Sequence, residues 1–380
     1  MKISILTLPI GKNYGGIMQA FAMQKFLRDM GHDVVTINYD SPEPSFLYKK
    51  TRFFYRCAKK FVGRQNTPIN IESYTSYILQ NTQLFIDENI SQSEYINSSS
   101  GLKNNFKTNK YDVIVVGSDQ TWRPAYSPNI YNYYLEFLKD NKKIKRIAYA
   151  SSFGVDNWEY SNKQTKRCAK LASSFDAISV REKSGIELCK DHLSVSSTYT
   201  LDPTLLLDKE DYLELIGERY KKGKNNGVFT YFLDANQEKH NSAQLLSQSL
   251  FTHTYTCQSQ KDSILLKNYN IEDYIMPPVE DWLASFANAS FILTDSFHGM
   301  VFSIIFDKPF LVIVNKERGA ARFESLLSQI GGLDNLIYDP ISINKNISKI
   351  KCIQPLGKEK LLLLKDKSIS FLINNLIDDN

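Results

Sequence analysis

The chain has 380 residues, long for one compact core and suited to two domains of ordinary size. Its 42% hydrophobic and 23% charged residues are the balance of a soluble globular protein, and no apolar run approaches the length that spans a bilayer. A formal charge of +5 suits anionic ligands or an anionic membrane surface and falls short of a nucleic-acid-binding signature.

Ile3–Leu6 predicts a short buried strand, and Thr7–Gly16 a loop. Ile17, Ala20, Met23, Leu27 and Met30 then recur at steps of three and four, which predicts a helix that Gly31 is placed to end. Val34–Ile37 is the next strand, so the start resembles one half of a doubly wound sheet. Val113–Val116, Ile147–Ala150 and Ala177–Val180 read as later strands. Pro203 and the stretch Lys221–Gly227 predict a boundary between about Pro203 and Asn226. A second series follows: strand Val228–Leu233, a helix from about Glu238, helix Trp282–Ala289, strand Phe291–Thr294, a helix from about His298 and strand Phe310–Val314. Lys358–Ile377 reads as helical, and no internal repeat is visible. The expected fold is α/β and GT-B-like, with two Rossmann-like domains and an interdomain cleft. Residues 1–205 form the first domain and 206–357 the second, with 358–380 a helix packing across both.

The five cysteines, Cys57, Cys168, Cys189, Cys257 and Cys352, are scattered and never form a CxxC pair. They suggest neither a zinc site nor a disulfide framework, and reduced thiols in a cytoplasm are the simplest reading. Apolar sequence begins at Ile3 with no charged leader or cleavage site, which argues against secretion.

Open α/β sheets hold ligands beyond the carboxyl ends of their strands, where four polar segments fall. In Asn13-Tyr14-Gly15-Gly16 the glycines let backbone approach a ligand, and the helix beyond can bind an anion; a plain glycine turn is an equal reading. The segment is not GxGxxG and makes no case for a dinucleotide. In Val116–Trp122, Asp119 suits a general base or a partner for a sugar hydroxyl, or else a helix cap. Trp122 suits a platform for a sugar ring, though a core tryptophan is the commoner case. In Ser179–Gly185, Arg181 is placed to bind a carboxylate or phosphate bidentately, or to form a structural ion pair with Glu182 or another acid. In Thr294–Gly299, Asp295 or Ser296 caps the next helix and His298 lies in its first turn, an arrangement for anion binding with proton transfer. Arg318 and Arg322, after strand Phe310–Val314, either complete a cationic pocket or decorate a solvated helix face. No His/Cys/carboxylate spacing suggests a metal.

These segments resemble the polysaccharide pyruvyl transferase family. The matching motifs are Asn13–Gly16, Gly117–Trp122, Ala150-Ser151-Ser152-Phe153-Gly154, Arg181–Gly185, Leu201-Asp202-Pro203-Thr204, Thr294–Gly299 and Arg322–Leu327, in the family's order. The resemblance implies phosphoenolpyruvate as donor and co-substrate, with no other cofactor. It implies a pyruvate ketal on two hydroxyls of a sugar in a bacterial capsular polysaccharide, exopolysaccharide or other surface glycan, or in its undecaprenyl-linked precursor. The first domain then takes the acceptor, through Asn13, Tyr14, Gly15, Gly16 and Trp122, and the second faces the donor. His298 and Asp119 are the expected acid and base, with Arg181, Ser296, Arg318 and Arg322 on the donor. Some branches of the family carry an arginine where this chain has Ser296, so Arg181, Arg318 and Arg322 are the candidates to replace it.

Between Phe46 and Arg64 lie seven lysines and arginines and no acid, with Leu47, Thr51, Phe54, Ala58 and Phe61 on one helical stripe. This segment (46–64) reads as an ordinary surface helix or as a peripheral contact with the inner face of the plasma membrane. Two other activities remain open: a GT-B nucleotide-sugar glycosyltransferase, and a non-catalytic glycan- or lipid-carrier-binding module.

Overall fold

The computed structural model describes residues 1–40, 50–51, 53–55, 57–58, 74–221, 226–259, 271–314, 319–350 and 352–376. Two parallel sheets organise it. The first contains β1 (Lys2–Leu6), β2 (Asp33–Thr36), β3 (Val113–Val116), β4 (Lys145–Ser151), β5 (Ala177–Val180) and β6 (Thr198–Tyr199) in the order β2-β1-β3-β4-β5-β6. The second contains β7 (Val228–Tyr231), β8 (Thr254–Thr256), β9 (Phe291–Thr294), β10 (Phe310–Ile313) and β11 (Leu336–Ile337) in the order β11-β10-β9-β7-β8. The central strands β3, β9 and β10 are buried along their whole length, because helices cover both faces of each sheet.

The helices that matter for the site begin just beyond strand ends. In chain order they are α1 (Tyr14–Asp29), α2 (Ser99–Asn109), α3 (Lys183–Leu188), α4 (Gln237–Ser249), α5 (Val279–Asn288), α6 (Phe297–Ile305), α7 (Ala321–Ile330) and α8 (Glu359–Leu376). The Asn13 side chain caps α1 by accepting from the Gly15 N–H, and Ser296 caps α6 by accepting from the Gly299 N–H.

The halves meet through apolar packing. Tyr14, Ile17 and Phe21 of α1 share one core with Trp282 and Phe286 of α5 and Phe302 of α6. The Tyr14 ring stacks on Trp282 with centroids 5.0 Å apart, and its hydroxyl donates to the Pro277 carbonyl. Helix α8 returns to the first sheet, where Leu372 and Leu376 pack with Ile3, Ile5 and Met23. Lys358, just before it, pairs with Asp307 on the other side.

Of the basic segment, residues 50–51, 53–55 and 57–58 are described and helical, and Phe53, Phe54 and Tyr55 are exposed. Leu47, Phe61 and most of the cations lie outside the described residues. Among the described residues no helix is long and apolar enough to cross a membrane.

Candidate active site

The site forms where the loops after β3 and β5 face the N-termini of α6 and α7. Its centre is a buried carboxylate, Asp202, in the crossover leaving β6. Asp202 accepts from Arg181 Nη1 at 2.5 Å and from the Ser118 hydroxyl at 2.9 Å, while its other oxygen accepts from the Thr204 N–H and hydroxyl. His298 Nε2 comes within 3.6 Å of the same carboxylate from the opposite sheet. Burial alone would raise the Asp202 carboxyl. The facing His298 and Arg181 charges override this and hold it well below the usual carboxylate range.

Arg181 is fully buried, and its charge is disfavoured by burial but held by Asp202, Asp119 and Glu182. Its Nη2 lies 3.7 Å from Asp119, too far for a hydrogen bond, so Nη2 and Nε have no hydrogen-bond partner among the described residues. Buried donors of this kind are suited to a ligand anion. The guanidinium lies 4.6 Å over the Phe297 ring, and that of Arg322 lies 5.8 Å from the same ring. Burial and then repulsion from Arg181 push Arg322 down to about 10, which leaves it charged at neutral pH. Glu182 balances the pair: burial raises its carboxyl and the two arginines pull it back. One Glu182 oxygen accepts from the Ser152 hydroxyl and the N–H groups of Phe153 and Gly154.

Asp119 lies three residues past β3 with φ of 72°, a conformation that costs energy outside glycine and clusters at functional sites. It accepts the Gln120 N–H, and no helix follows directly for it to cap. Of the two glycines that open α1, Gly15 serves close packing and Gly16 makes ordinary contact. A Cβ on Gly15 would lie 2.0 Å from His298 Nδ1, and one on Gly16 would sit 3.7 Å from Asp119 Oδ2. Glycine at position 15 therefore lets α1 abut the imidazole.

Several expectations need correction. Trp122 is fully buried, stacks on Tyr134 and donates to the Tyr133 carbonyl, so it is a core residue and no sugar platform. Tyr14 is likewise buried, with its ring against Trp282, and it also lines a cavity. Arg181 does make a structural ion pair, and the acid is Asp202. Ser296 caps α6 from a buried position, and Asp295 is consumed by Lys239 and two backbone N–H groups. Arg318 lies outside the described residues. Gly15 abuts His298, Gly16 and Arg181 lie near Asp119, and Arg181 and Arg322 share the Phe297 ring, so these residues do cluster. A cavity of about 740 Å³ is lined by Asn13 and Tyr14 and by none of the other residues of this cluster. Asn13 and Tyr14 line it from one side, and Tyr231, Leu233, Asp234 and Gln258 from the other. Asp202 went unselected in the sequence, although Leu201-Asp202-Pro203-Thr204 marked its position. Among the described residues no group of three or more His, Cys, Asp or Glu side chains is arranged to hold a metal.

The fold and this interdomain cleft define a GT-B-type protein. Similar solved structures include the UDP-GlcNAc 2-epimerase of Methanocaldococcus jannaschii, crystallised with UDP-GlcNAc and UDP. It has a TM-score of 0.53 and 12% identity over 98% of this chain and 100% of that one. A putative UDP-N-acetylglucosamine 2-epimerase from Listeria monocytogenes matches with a TM-score of 0.51 and 11% identity over 99% and 97%. A glycosyltransferase from Rickettsia africae matches with 0.50 and 11% over 98% and 94%. Residues 13–317 match the sequence profile of the polysaccharide pyruvyl transferases, and the chain belongs to that family. No curated protein sequence matches the chain.

Proposed function

We propose that this pyruvyl transferase uses phosphoenolpyruvate to form a pyruvate ketal on two hydroxyls of a glycan sugar. The observation that carries the reading is the buried pair Arg181 and Arg322, which share the Phe297 ring beside His298. Two cations, with spare donors on Arg181, match a donor bearing both a carboxylate and a phosphate. His298 gives its proton to the enol methylene, which leaves a cationic carbon next to the bridging oxygen. A sugar hydroxyl attacks that carbon as Asp119 takes the hydroxyl proton. The second hydroxyl then displaces phosphate, and its proton leaves with the phosphate. Two protons leave the sugar: one departs on phosphate, and the other, taken by Asp119, makes up through solvent for the proton that His298 gave to carbon.

The acceptor is a capsular or other surface polysaccharide unit, free or carried on a lipid. The basic segment supports membrane-surface contact through the exposed Phe53, Phe54 and Tyr55 beside Lys50. No resident cofactor or metal enters this reaction. Donor identity is tested by thermal shift: phosphoenolpyruvate raises the melting temperature, with EDTA without effect. Stabilisation by UDP-sugars and none by phosphoenolpyruvate would move the case to a glycosyltransferase.

A further inference from the structure

The face of the first domain beyond the Asp119 loop carries two cavities that the chemistry above does not use. The nearer, of about 550 Å³, is lined by Ser127, Asn129, Tyr131 and Gln164. It adjoins the catalytic loop directly, because the Ser127 hydroxyl donates to the carbonyl of Thr121, two residues past Asp119. The farther, of about 650 Å³, runs along α2 and is lined by Tyr95, Asn104, Asn105 and Thr108. Asn97 and Ser98 line both, so the two cavities adjoin there as a trough in two parts.

The chemistry of this lining is distinctive. Amides and hydroxyls dominate, and each carries donor and acceptor capacity together, as a polyol needs. The Asn105 side-chain oxygen is buried without a hydrogen-bond partner among the described residues, an acceptor held ready for a ligand hydroxyl. Tyr95, 54% exposed, adds an aromatic side chain of the kind that packs on sugar rings to this lining. The charged side chains of the lining, Lys2, Asp33 and Glu94, carry opposite signs, so neither a polyanion nor a polycation is favoured.

We infer that this trough binds a neutral oligosaccharide, the part of the acceptor chain remote from the sugar that receives pyruvate. The inference rests on the transferase reading and names its acceptor as a glycan of several residues instead of a single sugar. Binding energy from remote residues would then hold the reacting sugar at Asp119.

The test uses neutral hexasaccharides of glucose, galactose and mannose, with the matching monosaccharides, read by saturation-transfer NMR on the full chain. At least one hexasaccharide should bind, and at least tenfold more tightly than its monosaccharide. Asn105→Leu, which removes the buried acceptor at similar volume, and Asn97→Ala, at an exposed position common to both cavities, should each weaken hexasaccharide binding about tenfold. The phosphoenolpyruvate-induced thermal shift should be unchanged in both. No hexasaccharide binding by the unmodified protein, or equal binding in Asn97→Ala, would overturn the trough. Hexasaccharide binding with no response to phosphoenolpyruvate would leave the trough standing and overturn the donor assignment.

Discussion

Asp119 and Asp295 occupy equivalent places, each just past a fully buried central strand, yet their surroundings differ. Asp295 is saturated: its two oxygens accept from the Leu233 and Asp234 N–H groups and from the buried Lys239 ammonium at 2.6 Å. Asp119 has one short local bond, a left-handed backbone and a guanidinium 3.7 Å away. A strand-end carboxylate whose lone pairs are filled holds the loop together. One left under-bonded beside a cation is available for proton transfer. The same fold thus uses one acid for structure and leaves its counterpart under-bonded, as the base proposed above would be.

Substitution separates the two. Asp119→Asn should lower turnover by ~10²–10⁴ while leaving the melting temperature near normal. Asp295→Asn should do the reverse, costing about 3–5 kcal/mol because the Lys239 charge is left buried without its partner. Denaturant titration beside steady-state rates reads both; equal stability losses would erase the distinction.

Asp202 is the intermediate case, being structural in its bonds and shared between Arg181 and His298. Its carboxyl is held below the usual range when folded, so its stabilisation is fully present above the ordinary carboxylate range. That stabilisation is lost as pH falls towards the folded value. Asp202→Asn should therefore be less stable than the natural protein at pH 7, by about 3 kcal/mol, with the gap narrowing steadily below pH 4. A gap independent of pH would show that packing, and not charge, holds this junction.

The smallest effect belongs to the surface. Lys50→Gln should weaken sedimentation with anionic vesicles by about 1 kcal/mol and leave turnover on a soluble acceptor unchanged. Vesicle binding insensitive to Lys50 and to salt would remove the electrostatic part of the membrane contact.

The central strands were legible because they are continuous apolar runs bounded by turns. Val113–Val116, Ala177–Val180 and Phe291–Thr294 have the expected bounds. The strands β6, β8 and β11 were not read, since two or three residues at a sheet margin carry no period. Helix α2 was also unread: its polar, asparagine-rich sequence buries only Leu102 and Phe106. Residue type at strand ends pointed to His298, Arg181 and Arg322, but the partners of each depend on tertiary placement. Asp202 is therefore invisible to a local reading, and Trp122, a large aromatic beside a polar loop, reads as either a sugar platform or a core residue. The abutment of Gly15 on His298 joins residues 283 positions apart, and no local pattern encodes it.

His298 tests the whole account most directly. Phosphate release from phosphoenolpyruvate should be measured with an accepted glycan for the natural protein, His298→Ala and His298→Gln, alongside melting temperature and donor affinity. The account expects turnover in His298→Ala to fall by ~10²–10⁴ in a folded protein, with His298→Gln retaining donor binding better than turnover. Near-normal phosphate release by folded His298→Ala, or recovery of full turnover in His298→Gln, would contradict it.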